Sequence, residues 1–361
     1  MALFLVTGGC GFIGSNLTHA LVRRGDRVRV LDDLSGGRQQ NIADLLAAQP
    51  GQVELWRGDI CDAALLDRVL VDVDYVLHQA AVPSVPWSIE RPLECQRVNV
   101  DGVLQVLDAA RRQGRVRRFV FAASCAAYGD LRPDDPKREE DPVMPLSPYA
   151  AAKLAGEHLC TAYSRAYGMP TVALRYFNVF GPRQDPKGAY AAVIPCWISQ
   201  MQNGEPVYIN GDGGNTRDFC FVRDVVQALI LASTTTNAEA FGNAFNVGLG
   251  KATDLNELFQ TIRSLVQEAS GKPVPDVIYR AFRAGDIRHS CASAERVETV
   301  YADVYFYPLG LAILLLLAEV FLSDAPRRHF TPRRPPPGRK RELPVNRKTI
   351  GEQAMEAGDA R

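Results

Sequence analysis

Two residues that could act together in proton transfer lie near the middle of the chain. In SPYAAAKLAGEH, Tyr149 and Lys153 are four residues apart, and Ser147 and Pro148 are typical of the cap and first turn of a helix. Side chains at this spacing share one helix face, and a nearby ammonium favours the phenolate. We therefore expect the pKa of Tyr149 to fall from about 10 toward neutrality, which would make it a general base for a hydroxyl group. A surface pair on any helix would have the same pattern.

A second group of residues could bind a dinucleotide. The segment VTGGCGFIG places Gly8, Gly11 and Gly14 three residues apart, after a predicted strand and at the start of a predicted helix. Glycine permits the tight turn and lets backbone N–H groups approach a pyrophosphate. Asp32 follows eighteen residues after Gly14, where a carboxylate accepts ribose hydroxyls and repels a 2′-phosphate, so NAD is favoured over NADP. The alternative is a structural corner that merely needs glycine, with a solvated acid.

A further acid, Asp59 in RGDI, also ends a predicted strand. At the carboxyl edge of a parallel sheet it could reach the adenine amine. Alternatively, it could cap the helix that follows. The local sequence favours neither.

The order of apolar segments indicates which elements position these residues. A continuous apolar run at 2–7 is typical of a buried strand, and helical spacing follows at 11–24, with Gly25 where that helix should end. Strand-like runs recur at RVRVLD, VELWRGD, YVLHQAA, RRFVFAAS and TVALRY, with helical patterns between most of them, clearest at 99–112 and 148–167. This alternation predicts an α/β fold: a Rossmann, doubly wound parallel sheet with a smaller C-terminal substrate-binding cap.

We predict three parts along the chain. An NAD-binding Rossmann domain covers 1–176, with a contribution from about 222–248, and a substrate-binding cap is built from 177–221 and 249–293. The remainder, 294–361, is an atypical apolar and basic tail whose proline-rich end we expect to be disordered.

Composition narrows the partners and the compartment. Lys plus Arg and Asp plus Glu each number 41 among 361 residues, so no overall charge argues for nucleic acid. The eight cysteines form no CxxC pair and have no histidine cluster beside them, which predicts free thiols in a reducing compartment and no metal site. The amino terminus has no basic region before its apolar run, and we interpret it as a strand and not as a signal peptide. We therefore expect a cytoplasmic protein.

Several segments together resemble one enzyme family. TGGCGFIG, the NV pair at Asn99, FAASCAAYG and YAAAK are similar to the extended short-chain dehydrogenase/reductases. LRYFNVFGPRQDPKGAYAAVIP, VYINGDGGNTRDFCFVRDVVQA and FRAGDIRHS are similar to nucleotide-sugar 4-epimerases, most of all to UDP-N-acetylglucosamine 4-epimerases of bacterial surface-polysaccharide pathways. The resemblance covers residues 2–293. It implies an isomerase that holds NAD tightly and forms a homodimer through a helix bundle, for which the helices at 99–112 and 148–167 are candidates.

The resemblance implies a role for each residue that matches the family's pattern. Ser124 would hydrogen-bond the 4-hydroxyl of the sugar, Tyr149 would take its proton, and Lys153 would also bind the nicotinamide ribose. A 4-keto sugar would form, turn over in the pocket and regain its hydride on the other face, which inverts C4. The implied cofactor-binding residues are Gly8, Gly11, Phe12, Ile13, Gly14, Asp32, Asp59, Ile60, Ala80, Asn99, Tyr149, Lys153 and Tyr176.

The resemblance also implies a UDP-sugar site. Arg217 and Arg283 suit a diphosphate because guanidinium pairs well with phosphate oxygens, although a surface ion pair would explain either residue alone. Ser290 stands where epimerases restricted to non-acetylated sugars often have a bulky tyrosine, so it leaves room for a 2-acetamido group. We expect interconversion of UDP-GlcNAc and UDP-GalNAc, with slower action on UDP-Glc and UDP-Gal. The implied substrate-binding residues are Ser124, Asn178, Gln184, Ala192, Arg217, Arg283, Asp286 and Ser290.

Two other functions stay open at this point. Dehydratases and decarboxylases on the same fold carry an acid just after the catalytic serine or threonine, whereas Cys125 and Ala126 follow Ser124 here, which favours epimerisation. The other alternative is an NAD-binding protein with a damaged cap and no activity, because the resemblance stops before the family's last cap elements.

The apolar run at 305–322 has three interpretations. It is near the lower length limit for crossing about 30 Å of hydrocarbon, and it contains Pro308 and Glu319. Acids before it and basic residues after it would place the enzyme outside the cytoplasm, where NAD and nucleotide sugars are not found. Membrane contact through 305–322 is therefore doubtful. The other interpretations are a buried helix that replaces part of the cap and a foreign segment joined by a fusion or reading error.

Overall fold

A computed structural model describes residues 1–130, 135–187, 191–282, 287–293, 295, 296 and 313. The strands in these residues are β1 Leu3–Thr7, β2 Arg27–Asp32, β3 Val53–Arg57, β4 Tyr75–His78, β5 Arg118–Ser124, β6 Thr171–Tyr176, β7 Asn178–Phe180, β8 Val207–Asn210, β9 Thr216–Phe221, β10 Asn243–Val247, β11 Ala252–Asp254, β12 Val277–Arg280 and β13 His289–Ser290. The α-helices are α1 Phe12–Arg23, α2 Ala43–Ala48, α3 Ala63–Val69, α4 Val85–Glu90, α5 Pro92–Gln96, α6 Gly102–Gln113, α7 Pro148–Tyr167, α8 Val193–Asn203, α9 Val222–Thr234 and α10 Leu255–Ser270.

Seven of the described strands form one parallel sheet in the order β3-β2-β1-β4-β5-β6-β10. All carboxyl ends therefore meet at one edge, where Thr7 lies opposite both Leu31 of β2 and His78 of β4. Strands β1 and β6 are buried along their whole length, as parallel strands covered on both faces must be. The predicted Rossmann α/β fold is confirmed.

Helices cover both faces of this sheet. On β1, Phe4 and Val6 join an apolar cluster with residues of α1 and α9, whereas Leu3 and Leu5 join a second cluster with α3, α6 and α7. The alternation follows from the pleat, because successive side chains of a strand point to opposite faces. Helix α7, which carries Tyr149 and Lys153, is thereby fixed against the sheet.

The ends of α7 follow from its sequence. The Ser147 hydroxyl accepts a hydrogen bond from the Ala150 N–H at 3.2 Å, and Pro148 occupies the first turn, as predicted. The helix ends at Gly168, whose φ of +65° is the left-handed conformation that glycine adopts readily. Because Pro148 fixes the start of the helix, Tyr149 lies in its first turn.

Later segments build two smaller sheets. Strand β9 pairs in parallel with β7 and β13 and antiparallel with β11, and β8 pairs in parallel with β12. This arrangement brings Arg217 of β9 opposite Ser290 of β13, with Asn178 of β7 opposite Phe219. The division of the chain into a Rossmann domain, cap and tail stays a prediction.

The tail is described at few positions. Ile313, within the apolar run at 305–322, is fully buried in the same cluster as α1 and α9. The rest of that run and the basic end lie outside the described residues, so the predictions about them stay open. In the part of the chain that the structure describes, no helix has the length and apolar character needed to cross a membrane. All described residues belong to the unit Met1–Ser323.

Candidate active site

The glycine loop lies between β1 and α1, where its backbone packs too closely for larger residues. Gly8 has φ of +68°, and a Cβ built there would lie 2.7 Å from the Ala80 nitrogen. A Cβ on Gly14 would lie 2.2 Å from the Gly8 carbonyl oxygen. These two positions therefore require glycine. Without side chains there, a ligand can approach the backbone N–H groups of the loop.

Asp32 ends β2 beside this loop. Its carboxylate accepts hydrogen bonds from the Cys10 N–H at 2.9 Å and from the Leu34 N–H at 2.8 Å. Burial raises the pKa of Asp32, and these two hydrogen bonds oppose the rise. The acid thus ties the glycine loop to the segment after β2 while it lines the cleft between them.

Asp59 does not cap the helix that follows β3. That role belongs to Asp62, which accepts a hydrogen bond from the Leu65 N–H at 3.0 Å, so the capping alternative for Asp59 is wrong. Asp59 instead accepts bonds from the Cys61 N–H at 2.9 Å and from Arg97 at 2.8 Å. Burial alone would raise the pKa of Asp59, but these hydrogen bonds outweigh it and lower the pKa.

These residues line one cleft of about 500 Å³ along the carboxyl edge of the sheet. Its size is within the usual range for sites of small molecules and cofactors. It runs from the glycine loop to Tyr149 and Lys153. The predicted site residues that line it are Gly8, Gly11, Phe12, Ile13, Gly14, Asp32, Asp59, Ile60, Ala80, Tyr149, Lys153, Tyr176 and Gln184.

Asn99 is hydrogen-bonded to a residue that lines the cleft. It is 1% exposed, and its amide group holds the Val82 backbone: Oδ1 accepts from the Val82 N–H at 2.8 Å, and Nδ2 donates to the Val82 carbonyl at 3.0 Å. Val82 lines the cleft, whereas Asn99 does not. Asn99 therefore holds the wall formed after β4, and its direct contact with the cofactor stays a prediction.

Tyr149 and Lys153 meet in the cleft, but not with the predicted effect on the phenol. The Lys153 ammonium is 5.9 Å from the centroid of the Tyr149 ring and donates a hydrogen bond to the Ala122 carbonyl at 2.8 Å. Burial raises the pKa of Tyr149 to about 12, against a lowering hydrogen bond with Ser124. The expected fall of the Tyr149 pKa is therefore wrong, because burial of the phenol has the largest effect on it. Burial also lowers the pKa of Lys153 to about 8.

Ser124 completes this group at the end of β5. Its hydroxyl accepts a hydrogen bond from the Ala126 N–H at 3.2 Å and lies close enough to the Tyr149 side chain to lower the pKa of the phenol. The amide of Tyr149 donates to the Ser88 hydroxyl at 3.1 Å, which fixes the first turn of α7. The serine hydroxyl thus lies beside the phenol, and the phenol and the ammonium both line the cleft, an arrangement that can move a proton to or from a bound hydroxyl group.

The predicted sugar-side residues lie on the smaller sheet that β9 organises. Burial raises the pKa of the thiol of Cys125, the residue after Ser124, and the nearby side chains of Ser290 and Arg217 oppose this rise. Ala192 is exposed directly before α8. Arg283 and Asp286 lie outside the described residues.

Three buried amide atoms support a ligand in this region. Among the described residues, Gln79 Nε2, Asn178 Nδ2 and Gln184 Oε1 have no hydrogen-bond partner. Gln79 and Gln184 line the cleft. Buried polar atoms are rarely left unpaired, and a bound polar molecule would satisfy them. Together with the crowded glycine loop, they show that the cleft fits a dinucleotide cofactor.

A group of residues at the mouth of the cleft was not predicted from the sequence. The side chains of Arg38, after β2, and Asp185, after β7, form an ion pair, and both line the cleft. Arg183, with φ of +66°, donates to Ser15 and Asn16 of α1. The position of Arg38 just after a strand's carboxyl end was a usable signal. Nothing local indicated that residues 147 positions apart would pair.

Comparisons with known proteins agree with this geometry. Residues 4–248 match the model of the NAD dependent epimerase/dehydratase family. A UDP-glucose 4-epimerase from Mycolicibacterium smegmatis is 37% identical over 297 residues, covering 82% of this chain and 91% of that protein. A dTDP-glucose 4,6-dehydratase from Xanthomonas campestris is 32% identical over 330 residues, covering 87% of this chain and 92% of that protein.

A solved structure is similar over nearly the whole fold. It is a UDP-N-acetylglucosamine 4-epimerase from Methanobrevibacter ruminantium in complex with UDP-N-acetylmuramic acid, with a TM-score of 0.80 and 35% identity. The match covers 89% of this chain and 98% of that chain. By its sequence, its Rossmann sheet and its glycine-lined cleft, this chain belongs to the NAD dependent epimerase/dehydratase family, and NAD is its cofactor.

Proposed function

We propose that this chain catalyses C4 epimerisation of a UDP-hexose, with UDP-GlcNAc and UDP-GalNAc as the preferred pair and slower action on UDP-Glc and UDP-Gal. The observation that carries the proposal is the position of Ser124 beside Tyr149, which together with Lys153 lines the cleft that fits the dinucleotide. The 4-epimerases among the relatives support the reaction class.

Each residue of the site has its own role in the proposed reaction. The glycine loop, Asp32 and Asp59 hold NAD, which when bound supplies an acceptor that takes the hydrogen of C4 and returns it. Ser124 hydrogen-bonds the 4-hydroxyl, and Tyr149 removes its proton and later gives it back. The sugar turns over as a 4-keto intermediate, so C4 regains its hydride on the opposite face, O4 regains its proton from Tyr149, and no group is lost. The charge of Lys153, on the same helix face, favours the phenolate that this step forms, whereas burial keeps the phenol protonated before substrate and cofactor bind.

The pKa of Tyr149 must fall before the phenol can act as a base in this reaction. With a pKa of about 12, the phenol keeps its proton at neutral pH. Substrate and cofactor must therefore add positive charge or hydrogen bonds near the phenol before it can act as a base. The hydrogen bond with Ser124 already acts in this direction.

The preference for acetylated sugars rests on Ser290. Its side chain contacts Cys125, beside the catalytic serine, and lies in register with Arg217. A serine there is smaller than the tyrosine of epimerases restricted to non-acetylated sugars. We infer that the space takes the 2-acetamido group, while Arg217 and Asn178, with Arg283 and Asp286, bind the UDP moiety.

A dehydratase is the second candidate, because a dTDP-glucose 4,6-dehydratase is among the relatives. Elimination needs an acid beside the catalytic serine, and Cys125 and Ala126 follow Ser124. The carboxylate whose charge acts on Cys125 is Asp218, which is fully buried and accepts backbone hydrogen bonds from Leu249, Gly250 and Ala292. Because the Asp218 carboxylate already accepts hydrogen bonds from three backbone amides, it is a poor acid for an elimination, and this favours epimerisation.

The deciding experiment incubates the purified full chain with UDP-GlcNAc, UDP-Glc or dTDP-glucose and separates the products. We expect UDP-GalNAc to form fastest. Conversion of UDP-Glc without conversion of UDP-GlcNAc would contradict the substrate preference. A 4-keto-6-deoxy product would instead support a dehydratase, and CO₂ release when UDP-glucuronic acid is supplied would support a decarboxylase. Bound NAD without any turnover would support the damaged-cap alternative.

We also propose that two copies pair through the faces of α6 and α7, in the cytoplasm, where NAD and nucleotide sugars are found. Leu104 of α6 is 39% exposed and Tyr167 of α7 is 58% exposed, and the nearby Ile89 and Leu93 are also exposed. Apolar side chains of this size on neighbouring helices suit a helix-bundle interface. Sedimentation of the full chain and of a Leu104→Glu variant tests the pairing, and a wild-type monomer at micromolar concentration would contradict it.

A further inference from the structure

A buried arginine joins the elements that carry the catalytic group. Arg175 of β6 is 4% exposed, and its guanidinium binds the carboxylate of Glu157 in a bidentate manner, with Nη2 to Oε1 at 2.6 Å and Nε to Oε2 at 2.9 Å. The third nitrogen, Nη1, donates to the Tyr128 hydroxyl at 2.8 Å and to the Glu139 carbonyl at 3.2 Å. Its donors are thus directed at three separate segments.

Two of these segments hold the reacting side chains. Glu157 follows Lys153 by four residues on α7, as Lys153 follows Tyr149, so the three share one helix face. Tyr128 ends the 3₁₀ turn Cys125–Tyr128, which begins directly after Ser124. The guanidinium therefore links the helix of the phenol to the turn of the serine.

The Tyr128 hydroxyl extends this link to the far edge of the sheet. It is buried and donates to Asn246 Oδ1 of β10 at 2.7 Å. The Asn246 amide Nδ2 in turn donates to the Lys137 carbonyl at 2.8 Å. Each bond has one geometry, so the turn after Ser124 cannot shift along α7 without breaking at least one of them.

Stability alone is a weak reason for such a pair. Removing two charges from water costs several kcal/mol each, and apolar residues of similar volume often stabilise a core at least as well. A buried bidentate pair also fixes the distance and orientation between the two elements that carry it, here β6 and α7. The reacting groups at stake are the hydroxyls of Ser124 and Tyr149, which lie close to each other.

We propose that Arg175 is a positioning residue, which through Glu157 and Tyr128 sets the distance between Ser124 and Tyr149. The proposal rests on the proposed epimerase function of these two residues. Arg175 does not line the cleft and acts only through its partners. Its removal should therefore slow the chemical step and leave the binding of UDP-sugar and NAD nearly unchanged.

The test uses Tyr128→Phe and Arg175→Lys in the full chain. Tyr128→Phe removes one hydroxyl and keeps the ring, so it remains informative if the arginine variant fails to fold. We expect kcat for UDP-GlcNAc to fall about ten- to hundred-fold in each, because a displacement of about 1 Å can cost that much. KM and the fraction of bound NAD should stay within about two-fold of wild type. The double variant should lose little more than the worse single variant.

Arg118→Lys is the matched control. Arg118 is another buried arginine, 7% exposed. It lies at the amino-terminal end of β5, away from the cleft, and donates a hydrogen bond to the Thr235 carbonyl. We expect this variant to lose stability and to keep kcat. A loss of kcat in Arg118→Lys as large as in Arg175→Lys would reduce Arg175 to a merely structural role and overturn the proposal. So would wild-type kcat in Tyr128→Phe.

A readout without turnover separates this proposal from the proposed function. Amide hydrogen exchange should rise in Tyr128→Phe at 124–129 and 148–157 and stay unchanged elsewhere in the sheet. If the wild type epimerises nothing, the proposed function fails, and this local pattern alone decides whether Arg175 joins the two segments. Exchange that rises evenly over the whole chain, or not at all at these two segments, would overturn the positioning role.

Discussion

The Lys153 ammonium donates a hydrogen bond to the Ala122 carbonyl, and the two atoms lie 2.8 Å apart. Ala122 precedes Ser124 by two residues on β5, so this bond fixes α7 to the strand that delivers the serine. Lys153 is only 4% exposed. It therefore acts both as a buried charge beside Tyr149 and as an anchor for the helix, and the two roles can be measured separately.

Tyr149→Phe should separate proton transfer from cofactor binding. Loss of the phenol hydroxyl removes the base, and we expect epimerisation of UDP-GlcNAc to slow by about 10²- to 10⁴-fold while bound NAD is retained. Tyr167→Phe is the matched control, because Tyr167 ends the same helix and is exposed. Full turnover in the Tyr149 variant would exclude the phenol as the base.

Lys153→Met should stabilise the protein at neutral pH. Burial lowers the pKa of Lys153 from 10.5 to about 8, so the charged form is disfavoured by folding. Below pH 8 this cost is present in full, and between pH 8 and 10.5 stability rises because the unfolded chain binds more protons. We expect the free energy of unfolding in urea, without added NAD, to rise by about 2–3 kcal/mol at pH 7. The gain should shrink toward pH 10.

Exposed Lys251 provides the control for that measurement. Lys251→Met should change the free energy of unfolding little at either pH, because its side chain is 65% exposed. A Lys153→Met variant that is less stable than wild type at pH 7 would mean that the bond to Ala122 outweighs the burial of charge.

Gly8→Ala should abolish NAD binding for a steric reason. The new Cβ would lie 2.7 Å from the Ala80 nitrogen, so the loop must move away from the cleft wall. Gly114→Ala is a close control: its φ of +66° matches the +68° of Gly8, but a Cβ there meets nothing within 4 Å. Both variants should lose about 1–2 kcal/mol of stability through left-handed strain, and only Gly8→Ala should lose NAD. NAD content should be measured after gel filtration.

Breaking the ion pair of Arg38 and Asp185 should speed the release of NAD. The pair joins two segments across the mouth of the cleft, but its side chains are 62% and 45% exposed. An exposed pair is worth at most about 1 kcal/mol, so Arg38→Ala should release NAD up to about five-fold faster, with a smaller difference at high salt. Arg38→Asp combined with Asp185→Arg should restore slow release, and Arg112→Ala, in a pair outside the cleft, should have no effect. Unchanged release in both Arg38→Ala and Asp185→Ala would show that the pair does not retain the cofactor.

Ser290→Tyr should change the choice of sugar. A phenol ring beside Cys125 would fill the space assigned to the acetamido group, so we expect turnover of UDP-GlcNAc to fall at least about ten-fold relative to that of UDP-Glc. Ser290→Ala, which removes only the hydroxyl, should keep the wild-type preference. Equal losses for both sugars in the tyrosine variant would contradict the assignment.

Local patterns predicted the elements, and long-range contacts decided the details of the site. The glycine loop and α7 were predictable because glycine spacing, Ser147 and Pro148 act within a few residues. Asp59 was ambiguous because the capping residue, Asp62, lies only three positions later. The pKa of Tyr149 was predicted in the wrong direction, because helical spacing gives the face shared with Lys153 but not the burial of the phenol, which raises its pKa.

Other features had no local signal. Asn99 was assigned to the cofactor by resemblance, yet its amide is used by Val82, seventeen residues earlier. The pairing of Arg175 with Tyr128 joins residues 47 positions apart, on neighbouring elements whose side chains meet only after the sheet is formed. Contacts of this kind depend on strand order, which hydrophobic periodicity does not encode.

The strand that carries Ser290 is two residues long and pairs only with β9 among the described strands. The seven-stranded sheet and the glycine loop do not depend on it. Substitutions on this short strand can therefore accumulate in evolution without cost to the hydride chemistry, which is a simple route by which one ancestral catalyst could diversify over many sugars.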